Sequence, residues 1–461
     1  MSPDEQPIAL RDLGLCFQGA VPAVIATAAG DGCPNVTYLS RVRLVDDERV
    51  ALSNQFLSKT ARNLAENPRA SLLVLDPSNY DQYRLALVYE RTDRRGPVFD
   101  RLSEEVDAIA RLTGMEHVFK LRAADIYRVT DIERVLAAVH LGAMEDPLLP
   151  QRREPPSLEA VGALTARLSR CGDLDTVVAA TVDGLHELLG FEHSQLLLVD
   201  EGGERLYTIA SHGYGTEGVG AEVVVGDGAI GVAAQRCAPV RIGNLRQMGK
   251  YGRSVRRSFE LLGAVATPGT IPLPGLADAD SQLAVPAMSL GQLVGVLVVE
   301  STEWVAFSEA DEAALAMIAT VVANAIEAAR GEERVDDAEV SAVGSGVAAE
   351  HVDDAVKLRF FDADGSVFLD ADYLIKGVAG RILWWLVRQN VEHGRTEFTN
   401  KEVRLHPELD LPEYRDNLES RLILLKRRLD EREAPVRIEK TGRGRFRLVV
   451  LRAVCPEAAH A

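Results

Sequence analysis

Residues 52–75 read Leu52-Ser-Asn-Gln-Phe-Leu-Ser-Lys-Thr-Ala-Arg-Asn-Leu-Ala-Glu-Asn-Pro-Arg-Ala-Ser-Leu-Leu-Val-Leu75, and this stretch decides the fold of the first part of the chain. Its composition predicts a strand, a turn, a short helix and a second strand. Ser58 is suited to cap the helix, and Pro68 ends it because the residue before a proline is pushed out of the α region. Residues 50–53 and 70–75 are the flanking apolar strands.

Polar side chains crowd the predicted first turn of this helix: Ser53, Asn54, Ser58, Lys59 and Thr60. A helix N-terminus offers unpaired backbone N–H groups and the positive end of the helix dipole, which suit a phosphate. The alternative is an ordinary α+β segment in which Lys59 is a solvated surface charge.

The order of these elements resembles the pyridoxamine 5'-phosphate oxidase-like family, the FMN-binding split barrels. Asn67-Pro68-Arg69 before an apolar strand matches the family pattern closely. The likeness continues through the strands expected at residues 24–27, 34–40, 83–85 and 126–129, so we assign residues 10–140 to a split barrel.

The resemblance implies flavin, as FMN or FAD, bound by Arg41, Arg43, Ser53, Asn54, Ser58, Lys59, Thr60 and Gln82. In the family's pattern, Lys59 and Thr60 would take the phosphate, and Gln82 would lie near the isoalloxazine ring. The chain lacks the Trp…Arg-Leu-x-Pro ending that closes the substrate site of the vitamin-making enzymes. We therefore expect phosphate binding without pyridoxamine oxidation, and a homodimer, because split barrels commonly hold flavin between two subunits.

The strands and helices expected along the chain predict a multidomain α+β protein. The chain has 461 residues, 47% of them apolar, and length alone suggests about three domains. We expect a cytoplasmic protein without membrane spans, because no apolar run reaches the roughly 20 residues that a membrane helix needs. We expect no signal peptide, because the N-terminus is acidic and lacks a basic start and an apolar core. The five cysteines are far apart in the sequence, with no zinc-ligand spacing, so no metal is expected.

Two aperiodic stretches, residues 145–156 and 331–354, read as linkers. They divide the chain into the split barrel, a middle domain at 157–330 and a C-terminal domain at 355–452. Charge differs between the parts: net charge is −18 overall, whereas residues 355–452 carry +4. The acidic balance disfavours non-specific nucleic-acid binding by the whole chain and singles out the C-terminal domain.

The middle domain resembles a GAF domain, an α/β sandwich that binds small molecules. The most specific signal is the ending, with Val285-Pro-Ala, Gly291-Gln-Leu-Val-Gly-Val-Leu and Phe307-Ser followed by Asp311-Glu. Between the strands, residues 246–274 form a long segment that carries Lys250, Tyr251, Arg253, Arg256 and Arg257. This segment could cover an anionic small-molecule ligand, or it could be a solvated loop touching another domain. His193 and His212 have no metal-ligand partners in the sequence pattern.

The C-terminal domain resembles the winged helix of response regulators, with strands, three helices and a hairpin turning at Gly442-Arg-Gly444. The resemblance implies DNA contacts by Arg415, Arg427, Arg428, Lys440, Arg443 and Arg445. Ile423 and Leu424 stand where that family has polar or basic residues, and they suit a protein contact better. DNA binding and protein–protein contact therefore both remain open.

Together these patterns predict a sensory or regulatory protein that binds flavin, takes a small ligand in its GAF domain and acts through a winged-helix output, as a transcriptional regulator. The alternative is an FMN-dependent oxidoreductase whose GAF and winged-helix domains regulate it. No catalytic triad or nucleotide-triphosphate loop in the sequence offers another chemistry.

Overall fold

The computed structural model describes fourteen stretches of the chain. They are residues 8–17, 19, 22–39, 41–54, 58–76, 81–113, 120–135, 153–215, 218–245, 273–276, 278–336, 355–409, 418–442 and 444–459. We call residues 8–135 the N-terminal domain, 153–336 the middle domain and 355–459 the C-terminal domain.

The N-terminal domain begins with a 3₁₀ helix and is built around one sheet. Its elements are the 3₁₀ helix Leu10–Phe17, β1 (Ala23–Ala28), β2 (Pro34–Leu39), β3 (Val42–Leu44), β4 (Arg49–Asn54), α1 (Ser58–Glu66), β5 (Arg69–Leu75), β6 (Gln82–Asp93), α2 (Pro97–Thr113) and β7 (Ala123–Val135). The helix predicted from Ser58 is present, and it ends just before Asn67-Pro68 as the proline requires.

The seven strands form a curled half-barrel sheet in the order β2-β1-β5-β6-β7-β4-β3, with antiparallel neighbours. Successive residues of β4 face opposite sides, because side chains alternate along a strand. Val50 and Leu52 lie in the barrel interior, and Ala51 belongs to the cluster on α2 with Leu102 and Ile126. Sequence analysis did not predict α2, which covers this second face.

The middle domain is a sheet with helices on both faces. Its elements are α3 (Leu158–Leu168), α4 (Leu174–Glu187), β8 (His193–Val199), β9 (Arg205–His212), β10 (Glu222–Val224), α5 (Gly228–Arg236), β11 (Val240–Ile242), β12 (Ser281–Ser289), β13 (Gln292–Ser301) and α6 (Glu309–Asp336). The strand order is β10-β9-β8-β13-β12-β11. Helices α3, α4 and α6 pack on one face, and α5 packs on the other.

Helix α6 begins with a reciprocal side-chain cap. The Ser308 hydroxyl accepts from the backbone N–H of Asp311 at 3.2 Å, and the Asp311 carboxylate accepts from the N–H of Ser308 at 2.7 Å. Residues 309–330 of α6 are apolar and long enough to cross a membrane by length and composition alone. However, Leu315, Ile318 and Val322 are fully buried in the domain core, as expected for a packed helix of a globular domain.

The C-terminal domain contains two small sheets with helices between them. Its elements are β14 (Val356–Phe361), β15 (Ser366–Leu369), β16 (Asp372–Ile375), α7 (Gly377–His393), β17 (Glu397–Thr399), α8 (Asn400–Leu405), a 3₁₀ helix (Pro407–Leu409), α9 (Leu418–Glu431), β18 (Val436–Gly442), β19 (Arg445–Val450) and β20 (Val454–Ala459). The sheet orders are β16-β15-β14-β20 and β17-β19-β18. Strand β20 pairs in parallel with β14, so the domain extends past residue 452.

The middle and C-terminal domains share one continuous hydrophobic cluster. It joins Leu315 and Val322 of α6 to Leu424 and Leu425 of α9 through intervening buried residues. The two domains are therefore packed on each other through apolar as well as charged surface.

Candidate functional site

The first turn of α1 is fixed to the neighbouring strands by buried hydrogen bonds. The amide of Asn35 in β2 donates to the Thr60 hydroxyl at 3.1 Å, and Asn63 donates to Thr27 in β1 at 3.1 Å. Thr60 is buried, whereas Lys59 is exposed at the open side of the turn. The arrangement holds a cation beside a helix N-terminus, which is the chemistry that a phosphate requires.

Ser53, at the end of β4, is tied to the start of β3. Its hydroxyl accepts from the backbone N–H of Arg41 at 3.0 Å, and its own N–H donates to the carbonyl of Arg41 at 3.0 Å. The Ser53 hydroxyl thus accepts from the backbone of Arg41 and fixes its position, while this bond does not use the hydroxyl proton.

The side chains of Arg41 and Arg43 converge on Glu105 of α2. The Arg43 guanidinium donates to Glu105 at 2.8 Å, and the Arg41 Nε lies 3.5 Å from the same carboxylate. Burial lowers the pKa of Arg41, with the Glu105 charge opposing that shift. Gly19 has φ +73°, and a Cβ there would overlap the Arg41 guanidinium, so glycine is required for this packing. Both predicted phosphate-binding arginines are therefore directed at a carboxylate.

A buried polar cluster surrounds Asn54. Its amide donates to Asp125 at 2.9 Å, and the Thr92 hydroxyl donates to the other oxygen of Asp125 at 2.6 Å. The Tyr89 hydroxyl is 2.7 Å from Thr92. Burial raises the pKa of Asp125, while its two donors lower it in part. Sequence analysis did not single out Asp125, although a lone carboxylate in the apolar run 123–127 was the available signal.

Gln82 lies away from the other predicted flavin contacts. It pairs with Leu75 and Val135 at the start of β6, whereas Asn54 pairs with Ala123, beside the far end of β6. Ser53 and Asn54 therefore lie together at the end of β4, a few residues before α1 in the chain, and Gln82 lies apart from them.

The outer face of the N-terminal sheet exposes apolar side chains on adjacent strands. Tyr38 and Val36 of the edge strand β2 are 75% and 64% exposed. Tyr38 pairs with Val24 of β1, which pairs with Leu73 of β5, and Leu73 is 36% exposed. We call Val24, Val36, Tyr38 and Leu73 the apolar sheet patch. A contiguous exposed apolar patch is typical of a protein–protein contact.

A polar cluster occupies one end of the middle-domain sheet, on the α5 face. The carboxylate of Glu300 accepts from the Tyr214 hydroxyl at 3.0 Å and from the Gln282 amide at 2.7 Å. Gln195 donates to the Tyr214 oxygen at 3.1 Å and to the carbonyl of Pro274 at 2.6 Å. Burial raises the pKa of Glu300 above its usual range. These bonds hold residues 273–276 against the sheet.

The two single histidines of the sequence pattern have aromatic neighbours. The His193 ring lies edge-on to Tyr214, and His212 stacks on His186. Among the described residues, no group of three or more His, Cys, Asp or Glu side chains is placed to hold a metal ion. Residues 246–272, with the basic cluster at 250–257, lie outside the described residues.

Three of the predicted DNA-contacting cations face carboxylates or carbonyl oxygens. Arg427 donates to Asp175 of the middle domain at 3.1 Å, and Lys440 lies 3.3 Å from Asp173. Arg428 is buried and donates to the carbonyl of Leu374 at 2.9 Å.

Of the other three predicted DNA-contacting cations, one is exposed and two lie outside the described residues. Arg445, in the hairpin, is exposed. Arg415 and Arg443 lie outside the described residues. Ile423 and Leu424, expected to suit a protein contact, are 4% and 3% exposed.

Comparisons with known families confirm two of the three predicted domains. The family model described as pyridoxamine 5'-phosphate oxidase matches residues 15–130, and the GAF domain model matches residues 173–326. A flavin-binding type of domain followed by a signalling type of domain indicates a regulatory or sensory protein.

Individual relatives are distant. An uncharacterized protein of Methanocaldococcus jannaschii is 26% identical over 123 residues, which cover 26% of this chain and 76% of that protein. An FMN-binding protein of Syntrophomonas wolfei is 18% identical, with a TM-score of 0.24, and the match covers 28% of this chain and 88% of that one. The GAF domain of an Acinetobacter phosphoenolpyruvate-protein phosphotransferase is 24% identical, with a TM-score of 0.31, covering 38% and 94%.

Proposed function

We propose that this protein is a sensory regulator in which the N-terminal domain holds a flavin, the middle domain relays its state and the C-terminal domain contacts DNA. The observation that carries the proposal is helix α6, which touches both other domains. Glu312 in its first turn pairs with Arg101 of α2, and Arg330 near its other end donates to Ser420 of α9 at 3.2 Å.

The candidate flavin residues are connected to α6 through charge pairs. Glu105, which binds Arg41 and Arg43, also lies 3.9 Å from Arg101. Arg43 itself lies 3.7 Å from Glu309 at the start of α6. A ligand that drew Arg43 away from Glu105 would therefore change the contacts of α6 directly.

A flavin phosphate fits the first turn of α1, where the exposed Lys59 stands beside the helix N-terminus. Ser53 and Asn54 would line the adjacent strand end. When bound, the flavin, as FMN or FAD, supplies a redox-active ring. Arg41 and Arg43 are paired with Glu105. They would contact the flavin only after these ion pairs with Glu105 break.

DNA contact is proposed for the C-terminal domain on the basis of its element order and charge. Helix α9 is the third described α-helix of this domain, after α7 and α8, and a β-hairpin carries the exposed Arg445. A winged helix uses such a helix and hairpin on the major groove and the phosphates. The net charge of +4 over residues 355–452 favours this domain over the rest of the chain.

A homodimer is proposed through the apolar sheet patch, since a second copy of the same strands would cover Tyr38 and Val36.

The middle domain is proposed to take a small ligand on its α5 face, beside the polar cluster at Glu300.

The first test is the visible absorption spectrum of the purified full-length chain, followed by titration with FMN and FAD. Flavin uptake supports the N-terminal part of the proposal, and a colourless protein that takes up neither flavin overturns it.

Steady NAD(P)H consumption with an added acceptor would favour the alternative, a flavin-dependent oxidoreductase. Salt-dependent retention of duplex DNA, lost in the Arg443→Ala/Arg445→Ala variant, would favour the regulator.

A further inference from the structure

One face of α9 is occupied by the middle domain. Residues 420, 421, 424, 427 and 431 share this face by helical spacing, and we call it the docked face. Ser420 accepts from Arg330 of α6 at 3.2 Å, and Glu431 accepts from the backbone N–H of Gly218 at 3.0 Å. Leu424, between them, is 3% exposed. The docked face is thus covered along its length.

Arg421 makes the most enclosed charge contact of this interface. Its Nε donates to Glu201 at 3.0 Å, a second nitrogen binds the other carboxylate oxygen, and the guanidinium lies 4.4 Å from the centre of the Tyr207 ring. The Arg421 and Glu201 side chains are 13% and 18% exposed. A two-point arginine–carboxylate pair stacked on an aromatic ring fixes orientation as well as distance.

Three further cations of the C-terminal domain face carboxylates of the middle domain. Lys426 and Arg427 both bind Asp175 in the first turn of α4, at 2.9 and 3.1 Å. Lys440 lies 3.3 Å from Asp173, which caps α4. The middle domain therefore presents carboxylates to the same cations that a DNA backbone would attract.

We infer that the middle domain and DNA compete for the docked face of α9, so that the arrangement seen here is the closed form of the output domain. A major groove about 12 Å wide admits a helix and leaves no room for a second domain on the same face. This inference rests on the proposed DNA-binding function. The hairpin with Arg445 stays exposed in the closed form and can contact phosphates before the helix is released.

The test compares two full-length variants with the same change in net charge, Glu201→Arg and Glu204→Arg. Glu201 binds Arg421, whereas Glu204 is exposed on the same β8–β9 hairpin. Glu201→Arg places two buried cations together, so we expect a larger maximum dimension in small-angle scattering and about tenfold or stronger retention of mixed-sequence duplex DNA. Glu204→Arg should match the unmodified chain in both measurements.

A charge exchange supplies the second arm. Glu201→Arg combined with Arg421→Glu restores an opposite-sign pair, and it should return the scattering profile and the DNA affinity toward those of the unmodified chain. Glu201→Gln removes one charge without adding another, so it should separate the two domains in only part of the molecules. This milder variant tests the same contact if Glu201→Arg does not fold.

The outcomes separate this inference from the proposed function. If Glu201→Arg and Glu201→Gln leave the scattering profile unchanged, or if the unmodified closed chain binds DNA as tightly as the opened variant, the competition is overturned. If the variants open but retain no DNA, the proposal that the C-terminal domain binds DNA is wrong, and the proposed competition is wrong with it. The contact between the middle and C-terminal domains is then still supported.

Discussion

Arg330 in α6 donates to the hydroxyl of Ser420 in α9, while Glu312, at the opposite end of the same helix, pairs with Arg101 of the N-terminal domain. The two contacts are separated by roughly 27 Å of continuous helix, at about 1.5 Å per residue. A rigid helix that is bonded at both ends links the movements of the domains at its ends.

Arg101→Glu should uncouple the N-terminal domain from α6, because it places a carboxylate beside Glu312 and Glu105. We expect the free energy of interaction between the N-terminal domain and α6 to fall by about 1–3 kcal/mol. In calorimetry, the two domains should then unfold in two separate thermal transitions. Arg95→Glu, at an exposed position before α2, is the matched control and should leave the unfolding profile unchanged. A profile of Arg101→Glu identical to that of the control would contradict the coupling.

Lys59→Ala should weaken FMN binding by roughly tenfold or more, the effect of removing one charge-assisted contact to a phosphate. Flavin fluorescence quenching in a titration measures the affinity. Arg62→Ala removes an exposed cation from the same helix and should change the affinity little. Equal losses in the two variants would mean that the helix attracts anions only through its general charge.

Tyr38→Asp should shift a dimer toward the monomer, because it places a carboxylate in the apolar sheet patch, where an opposing copy would have to desolvate it. Sedimentation velocity over a range of concentrations reports the shift. Leu290→Asp is the control, since Leu290 is 99% exposed in the β12–β13 turn, far along the chain from the patch. A monomeric unmodified chain, or a Tyr38→Asp dimer of undiminished affinity, would rule out this surface.

Cys16 should resist alkylation in the folded protein. Burial, with the Asp76 charge adding to it, raises the pKa of Cys16 to about 12, so at about pH 8 the thiolate fraction is on the order of 10⁻⁴. The exposed Cys33, Cys237 and Cys455 should react with iodoacetamide first, as mass spectrometry of the peptides will show. Unfolding in denaturant should make all five cysteines react, and rapid labelling of Cys16 in the folded chain would contradict its burial.

Local sequence signals predicted much of the fold. The Pro68 helix stop is found where expected, since it depends on residues within one turn. Two domains are also confirmed by family models. Helix α2 was missed although Val98, Leu102 and Val106 recur at helical spacing.

The candidate sites were less predictable because their geometry depends on contacts between distant residues. Nothing near Arg43 in the sequence indicates that Glu105, on a helix that follows three further strands, neutralises it. The apolar Ile423 and Leu424 favoured a protein contact over a DNA contact at their positions in α9, and both side chains are buried. The acidic partners of Arg421 and Arg427 lie more than two hundred residues earlier, beyond any local pattern.

The parallel pairing of β20 with β14 has a consequence for synthesis of the protein. Strand β14 leaves the ribosome about a hundred residues before β20, which at about 5–20 residues per second is an interval of roughly 5–20 s. During that interval one edge of β14 has no partner strand, and an unpaired edge is a template for pairing with other chains. The C-terminal domain therefore completes its first sheet only after translation of residues 454–459, and until then that edge of β14 is open to pairing with other chains.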